Sequence, residues 1–301
     1  MLSTDRITVM LTTYNRERYF KEALDCLLSQ TVRCPVIVID DASDHDRFER
    51  TVRDLCDPLV TYVRNPVNLG IVGTWNRCID LCPTPWLSIL HDDDLLGRRF
   101  ISSVHPYLEE GVTAVAAGCI WGPDTQAFDA GADPPNRART CTPWTFLTGN
   151  LTAFPGVVFD VATARRIGGF KSEYYPSSDV RFWIDLMDAG RVLMLNSTLA
   201  FYRISPEQDL SEQTGRVVDA CHGLRMELAG RYPWPLRAEA RRYVEDSSLL
   251  MKKNYEKMYG RPVRVSTFDA ERLRLKRARE ERRLERQWSR RIFAALYAPS
   301  P

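Results

Sequence analysis

Residues 86–96 read WLSILHDDDLL, an apolar run that changes at residue 91 into one histidine and three aspartates. A short apolar run that stops at polar residues is typical of a buried strand, here Trp86–Leu90. In an open α/β sheet, ligands bind outside the carboxyl ends of the strands. The stretch therefore predicts a strand that delivers His91–Asp94 to a binding edge.

Two earlier stretches have the same form. Ile7–Leu11 precedes TTYNR at 12–16, and Val36–Ile39 precedes the polar residues Asp40–Ser43. A helical pattern, Arg18–Gln30, separates them, and such alternation favours βαβ units, a mostly parallel sheet and an α/β fold. Parallel strands would bring all three polar stretches to one edge of the sheet.

Acidic residues at that edge predict a cation. Crowded carboxylates repel one another unless they share a positive charge, and a divalent metal with oxygen ligands provides it. Magnesium and manganese usually complete their coordination with substrate phosphates. The sequence thus indicates a site for a phosphate-bearing substrate.

Composition narrows the class of protein. The 301 residues are 44% hydrophobic and 27% charged, as in an ordinary globular protein. The net charge is +2, but residues 271–291 hold ten basic and four acidic side chains, so the main body is not a general nucleic-acid binder. Eight cysteines form no CxxC pair, which favours buried thiols in a reducing compartment.

The organisation along the chain predicts residues 1–214 as the α/β domain and residues 215–301 as a helical C-terminal region. Residues 270–297 have the pattern of a basic tail helix. We expect either a solvated helix docked on the domain or a short coiled coil, or else a peripheral contact with anionic lipid. No apolar run is long enough to span a bilayer. We expect a cytoplasmic protein, with membrane contact confined to that tail.

Seven motifs together resemble the family 2 glycosyltransferases of GT-A fold, over roughly residues 5–205. They are TTYNR at 12–16, SQT at 29–31, VIDDAS at 38–43, NLG at 68–70, LHDDDLL at 90–96, GGF at 168–170 and SDVRFW at 178–183. The resemblance implies a Rossmann-like nucleotide-binding sheet flanked by helices, followed here by a C-terminal helical extension.

The resemblance also implies a set of donor-binding residues. Thr12 and Asp41 match the positions that hold a pyrimidine base, with Asp41 accepting from the ring N–H. The alternative for Asp41 is a helix cap. Tyr14 stacks on the base or simply packs, and Asn15 belongs to the same donor-binding loop. Arg77 either reaches a donor phosphate or is an exposed helical arginine.

The acidic stretch matches the DxD region of the family. Asp93 and Asp94 are the expected ligands of Mn²⁺ or Mg²⁺, Asp93 also serves the donor diphosphate, and Asp92 faces the ribose or supports the ligands. The alternative is a solvated acidic turn. His91 stands where many relatives have an acidic residue, and we interpret it as a local hydrogen-bonding group.

Asp179 matches the catalytic base of inverting members. Its place at the start of a predicted helix, Asp179–Ala189, should favour the ionised form that a base requires. The alternative is an ordinary carboxylate at a helix N-terminus. Ser205 stands where many relatives carry a histidine after a Tyr-Arg pair, so the histidine's role is either absent or taken by Ser205 or Arg203.

These expectations combine into one hypothesis: the chain is an inverting glycosyltransferase that moves a sugar from a nucleotide-diphosphate donor to a hydroxyl of a glycan or lipid-linked acceptor. The first candidate donor is a UDP-sugar, and the expected role is bacterial surface-polysaccharide biosynthesis. A dTDP-sugar (rhamnosyl-type) transferase and a catalytically dead nucleotide-sugar-binding module are the alternatives. A nucleotidyltransferase or NAD enzyme is disfavoured, because the loop after the first strand lacks glycines.

Overall fold

The computed structural model describes residues 2–123, 125, 128, 137–148, 153–204 and 213–268. The chain divides into two compact units, residues 1–210 and 211–301. The basic stretch 270–297 and Ser205 lie outside the described residues. The assignment of residues 1–214 to catalysis and 215–301 to a helical region stays a prediction.

The described strands are β1 Leu2–Ser3, β2 Ile7–Thr13, β3 Val32–Arg33, β4 Val36–Asp40, β5 Val60–Arg64, β6 Trp86–His91, β7 Leu95–Leu96, β8 Val112–Gly122, β9 Ala138–Thr140, β10 Val157–Asp160 and β11 Arg191–Arg203. The described helices are α1 Phe20–Leu28, α2 Arg47–Leu55, α3 Gly70–Leu81, α4 Phe100–Val104, α5 Pro143–Thr148, α6 Val161–Arg166, α7 Ser178–Ala189, α8 Thr214–Gly230 and α9 Leu236–Tyr259.

One large sheet organises the first unit. Within the described residues its strand order is β5-β4-β2-β6-β10-β8-β11-β7, with β9 beside β11. The first four strands are parallel, but β10 runs antiparallel to both of its neighbours. β8 and β11 are parallel to each other and run in the direction of those four strands, so six of the nine described strands of this sheet share one direction, and the expectation of a mostly parallel sheet holds apart from β7, β9 and β10. A fully buried strand such as β10 has the same apolar pattern in either direction, so its sequence gives no orientation.

The predicted gathering of polar stretches at one edge is confirmed. Thr12 pairs with His91 across β2 and β6, and Thr13 pairs with Asp40 across β2 and β4. The backbone N–H of Asp41 donates to the Thr13 carbonyl at 2.9 Å. This register holds because β2 is buried along its whole length and α1 packs its apolar face on the same core.

The last long strand differs from expectation. The apolar runs Val192–Leu195 and Leu199–Tyr202 each have the sequence pattern of a separate strand, whereas β11 runs continuously from Arg191 to Arg203. Its pairing with β8 shifts between Met194 and Thr198. A bulge of this kind absorbs the polar residues that interrupt the apolar pattern.

The second unit is helical in its described part. A buried hydrogen bond joins His222 Nδ1 on α8 to Ser248 Oγ on α9 at 3.0 Å. The Asp219 carboxylate accepts from four donor groups of Ser266 and Thr267, which ties the following segment to α8. None of the helices in the described ranges combines the length and the apolar character needed to cross a bilayer.

Candidate functional site

An open cleft of about 460 Å³ lies at the carboxyl ends of β2, β4 and β6. Of the residues predicted for the site, those that line it are Thr12, Tyr14, Asp41, Asp92 and Asp93. The other lining residues include Arg16, Trp75, His91 and Tyr202. Within the described chain, Asn15, Arg77, Asp94 and Asp179 are not part of this lining.

Asp41 is held by a ring of donors. Its Oδ1 accepts from Asn65 Nδ2 at 2.8 Å and from the Leu69 N–H at 2.9 Å, and its Oδ2 accepts from the Gly70 N–H at 3.0 Å. Asp41 therefore caps α3, not the helix that follows it in sequence. A carboxylate has about four acceptor positions, so these described donors leave one position on Oδ2.

The loop after β2 places its residues differently. Thr12 Oγ1 donates to the Leu90 carbonyl at 3.4 Å, beneath the cleft. The Tyr14 ring is 49% exposed, so it is not a packing residue. Asn15 has a left-handed φ of +53°, and its Oδ1 accepts from the Asp44 N–H at 2.9 Å. Asn15 thus ties two loops together and does not reach into the cleft.

Arg16 is a site residue that sequence reasoning missed. Its Nε donates to Asp92 Oδ1 at 2.9 Å, and its Nη1 pairs with Asp93 Oδ2 at 2.8 Å. Asp92 also accepts from Thr13 Oγ1 at 2.7 Å. The sequence offered one signal: a basic residue in the polar stretch 12–16 and three acidic residues in the stretch 91–94. Their pairing could not be predicted without knowing that β2 and β6 are neighbours.

Asp94 lies behind the cleft wall. Its Oδ1 accepts from the Arg203 N–H at 3.0 Å, and its Oδ2 lies 3.5 Å from His91 Nδ1, without a hydrogen bond among the described residues. Burial raises the pKa of Asp94 to about 8. The alternative of a solvated acidic turn is wrong, because Asp93 and Asp94 are 1% and 0% exposed.

His91 makes the local hydrogen bond expected of it. Its Nε2 lies 3.0 Å from Trp75 Nε1, an obligatory donor, so Nε2 accepts and the neutral ring carries its proton on Nδ1. Burial lowers the pKa of His91, which keeps the ring neutral. Phe154 stacks on His91 with ring centroids 4.5 Å apart, and Trp75 stacks on Phe154 at 4.3 Å. This aromatic layer fixes the direction in which His91 points.

The acidic residues fit a divalent cation. Asp93 and Asp94 each offer a carboxylate oxygen, and these atoms lie within 4.8 Å of each other and of a ring nitrogen of His91. Because Nε2 of His91 accepts from Trp75 and Nδ1 carries the proton, the two aspartates are the candidate ligands. Burial is the largest cause that raises the pKa values of both aspartates, so without a cation their charged forms are disfavoured. A buried carboxylate oxygen on Asp94 that lacks a described hydrogen bond is a suitable hard ligand.

Asp179 stands in the first turn of α7, where it was predicted. Burial raises its pKa to about 6, although backbone N–H groups of the helix start act in the opposite direction. The predicted effect of the helix terminus therefore has the right sign but is outweighed by desolvation. The charges of Asp179 and His91 are close enough to influence each other's pKa.

A family comparison matches this arrangement. The model of glycosyl transferase family 2 matches residues 8–160, which is just over half of the chain. The chain belongs to glycosyl transferase family 2. The family region contains β2, β4, β6 and the cleft residues from Thr12 to Asp93.

Individual relatives are distant. A candidate colanic acid biosynthesis glycosyl transferase of Escherichia coli, WcaA, is 28% identical over 96 residues, which are 31% of this chain and 34% of that protein. The match thus spans about a third of the relative's length.

Two solved structures share the fold. A mannosyltransferase of Pyrobaculum calidifontis in complex with GDP-Man and Mn²⁺ has a TM-score of 0.59 at 17% identity, covering 94% of this chain and 83% of that one. Staphylococcus aureus TarS 1-349 in complex with UDP-GlcNAc has a TM-score of 0.57 at 14% identity, covering 84% and 73%. The predicted GT-A fold is confirmed.

Two arginines predicted near the donor of this family 2 chain differ in their surroundings. Arg77 lies on α3 outside the cleft lining, whereas its neighbour Asn76 clamps the backbone of Phe170 with bonds of 2.8 and 2.9 Å. Arg203 is buried, donates to the Asp93 carbonyl at 2.8 Å and to Glu22 at 2.6 Å, and lies 4.2 Å from the Tyr19 ring centroid. Arg203 therefore holds the acidic loop in place.

Proposed function

We propose that this chain is an inverting glycosyltransferase that moves a sugar from a UDP-sugar to a hydroxyl of a glycan or lipid-linked acceptor. One observation carries the proposal: a single cleft is lined by Asp41 from one polar stretch and Asp93 from another, and His91 beside them interacts with Asp179. Base recognition and diphosphate binding are thus supported at one place, and Asp179 is near enough to His91 for their charges to influence each other.

The hydrogen bonds of Asp41 support a uracil base. One remaining acceptor position on Oδ2 matches the single ring N–H of uracil. Guanine presents two neighbouring donor groups and would need two positions. Thymine has the same N–H as uracil, so a dTDP-sugar is the second candidate. The exposed Tyr14 ring at the cleft is suited to stacking on such a base.

Asp93 and Asp94 would hold Mn²⁺ or Mg²⁺, with His91 beside them. When bound, the ion would supply Lewis-acid stabilisation of the charge on the departing nucleoside diphosphate. Arg203 positions this loop by bonding both the Asp93 carbonyl and, through its own N–H, Asp94. Arg16 and Thr13 hold the Asp92 carboxylate, which leaves Asp92 a supporting role.

Asp179 would act as the general base. The acceptor oxygen attacks the anomeric carbon on the face opposite the leaving diphosphate, the bond from that carbon to the diphosphate breaks, and Asp179 takes the hydroxyl proton. With a pKa of about 6, Asp179 is ionised at pH 7.5 and is a stronger base than a surface aspartate. Attack from the opposite face inverts the configuration.

An aromatic pair supports a carbohydrate acceptor. Tyr202 lines the cleft, and Trp121 packs on it with ring centroids 4.6 Å apart while 45% exposed. Exposed aromatic faces held rigidly beside a cleft suit the apolar face of a sugar ring. The name of the E. coli relative, which refers to colanic acid biosynthesis, supports a role in polysaccharide biosynthesis.

A thermal-shift screen of UDP-, dTDP- and GDP-sugars with Mn²⁺ tests the proposal. At 100 times its Kd the true donor should stabilise the chain by about 2.7 kcal/mol, a rise in Tm of roughly 5–10 °C. The chain should also hydrolyse that donor slowly, which releases free UDP. Stabilisation without any UDP release would favour the dead binding module, and no response to any nucleotide sugar would refute the proposal.

A further inference from the structure

Arg16 already occupies the place where a cation is needed. Its guanidinium bonds the carboxylates of both Asp92 and Asp93, which are 2% and 1% exposed. The acidic loop is therefore partly neutralised by the chain itself.

The Asp93 carboxylate has two candidate cationic partners, Arg16 and a metal ion. It is the partner of Arg16 Nη1 at 2.8 Å, and it is also one of the two aspartates whose carboxylate oxygens could hold a metal ion. A divalent ion bound by Asp93 would lie next to the guanidinium, and two positive charges so close together repel each other strongly. Arg16 and the ion therefore compete for the same carboxylate.

The Arg16 side chain can also contact a ligand bound in the cleft. Its side chain is 29% exposed and lines the cleft, so the guanidinium has access to a bound ligand. Arginine binds phosphate oxygens through two parallel N–H groups, which makes a diphosphate a strong rival for the aspartates. A nucleotide in the cleft can thus draw Arg16 away from Asp93.

We propose that Arg16 is a resident counter-cation that couples metal binding to nucleotide binding: it blocks Asp93 in the empty cleft and releases it when a nucleoside diphosphate binds its guanidinium. This inference rests on the proposed function. Coupling between two ligands is reciprocal, so the metal and the nucleotide tighten each other's binding through Arg16. The arrangement keeps the ion weakly bound until the donor is present.

Calorimetric titration of MnCl₂ into the full chain, with and without UDP, tests the inference. The comparison uses wild type, Arg16→Met, and the control Arg50→Met, which removes an exposed ion pair with Asp46 on α2. Heat from Mn²⁺–UDP chelation in buffer is subtracted. Arg16→Met should bind Mn²⁺ without UDP at least about tenfold more tightly than wild type, and the effect of UDP should shrink by a similar factor. Arg50→Met should match wild type.

Thermal melting gives an independent readout. Removing Arg16 leaves buried carboxylates without their counter-cation, so in EDTA the Tm of Arg16→Met should fall by about 5–10 °C, and Mn²⁺ should restore more of it than it adds to wild type. Arg16→Lys keeps the charge without the forked geometry, so its Mn²⁺ affinity and its Tm should lie between those of wild type and Arg16→Met.

The outcomes separate the two claims. Equal or weaker Mn²⁺ binding by Arg16→Met and Arg16→Lys in the absence of UDP, with wild-type coupling to UDP retained, overturns the role of Arg16 alone. A wild-type chain that binds no Mn²⁺ even with UDP present overturns the metal part of the proposed function, and this inference with it.

Discussion

Replacing Asp179 by asparagine should make the protein more stable and less active. Burial raises the pKa of Asp179 from 3.8 to about 6, so the ionised carboxylate is less favourable in the folded chain than in the unfolded chain. Between pH 3.8 and 6 the folded state holds a proton that the unfolded state has lost. The stability of the wild type therefore falls as the pH rises through this window, and the full cost remains above pH 6.

The size of the effect follows from that pKa. A rise from 3.8 to about 6 corresponds to about 3 kcal/mol, and we expect about 1–3 kcal/mol because the side chain is only partly enclosed. Asp179→Asn carries no such cost, so at pH 7.5 its Tm should exceed that of wild type by roughly 2–10 °C. Below pH 4 the two should melt together. Loss of the base should lower kcat by about 10²–10⁴.

The assay pairs melting curves in EDTA from pH 4 to 8 with UDP release in Mn²⁺ over the same range. The acid limb of wild-type activity should lie at or below pH 6, because a nearby cation can only lower the pKa of Asp179. Asp188→Asn, an exposed change on the same helix, should alter stability by no more than about 0.5 kcal/mol. Near wild-type turnover by Asp179→Asn, or a lower Tm at pH 7.5, would refute this reasoning.

Three further substitutions test the supporting contacts. Asp41→Asn turns a donor toward the N–H groups of α3, so the free energy of unfolding measured in urea should fall by about 2–4 kcal/mol. Calorimetry should also show a UDP affinity at least about tenfold weaker. An unchanged UDP affinity would contradict base recognition by Asp41. Arg203→Met removes the donors to Glu22 and the Asp93 carbonyl and should cost about 2–4 kcal/mol, with weaker Mn²⁺ binding; intact stability would show that the buried guanidinium is dispensable. Gly169→Ala combines a φ of +66° with a Cβ placed 2.4 Å from Asn76 Oδ1, and should cost more in urea unfolding than Gly168→Ala, whose φ is +86° with open space around it; equal costs would argue against the clash.

The binding edge of the sheet could be predicted from local sequence patterns. Each of β2, β4 and β6 is a short apolar run followed at once by polar residues, and that pattern is visible without any tertiary information. The acidic residues at 92–94 could be placed at a strand end for the same reason. Family membership and the GT-A fold were implied by the resemblance of seven motifs to those of family 2 glycosyltransferases.

Contacts between distant segments could not be predicted in the same way. The alternative interpretation of Asp41 was a cap on the helix after it, but Asp41 caps α3, whose start lies 29 residues further along the chain. The pairing of Arg16 with Asp92 spans 76 residues, and nothing local distinguishes it from a solvated arginine. The pKa of Asp179 depended on burial by other segments, which a helix-terminus argument does not include.

The most direct test of the central claim is the anomalous scattering of Mn²⁺ in crystals of the full chain grown with UDP. We expect one manganese peak within about 2.1 Å of carboxylate oxygens of Asp93 and Asp94, with the diphosphate on the same ion and the uracil N–H against Asp41. A manganese peak remote from the acidic loop, or UDP bound outside the cleft, would contradict the account.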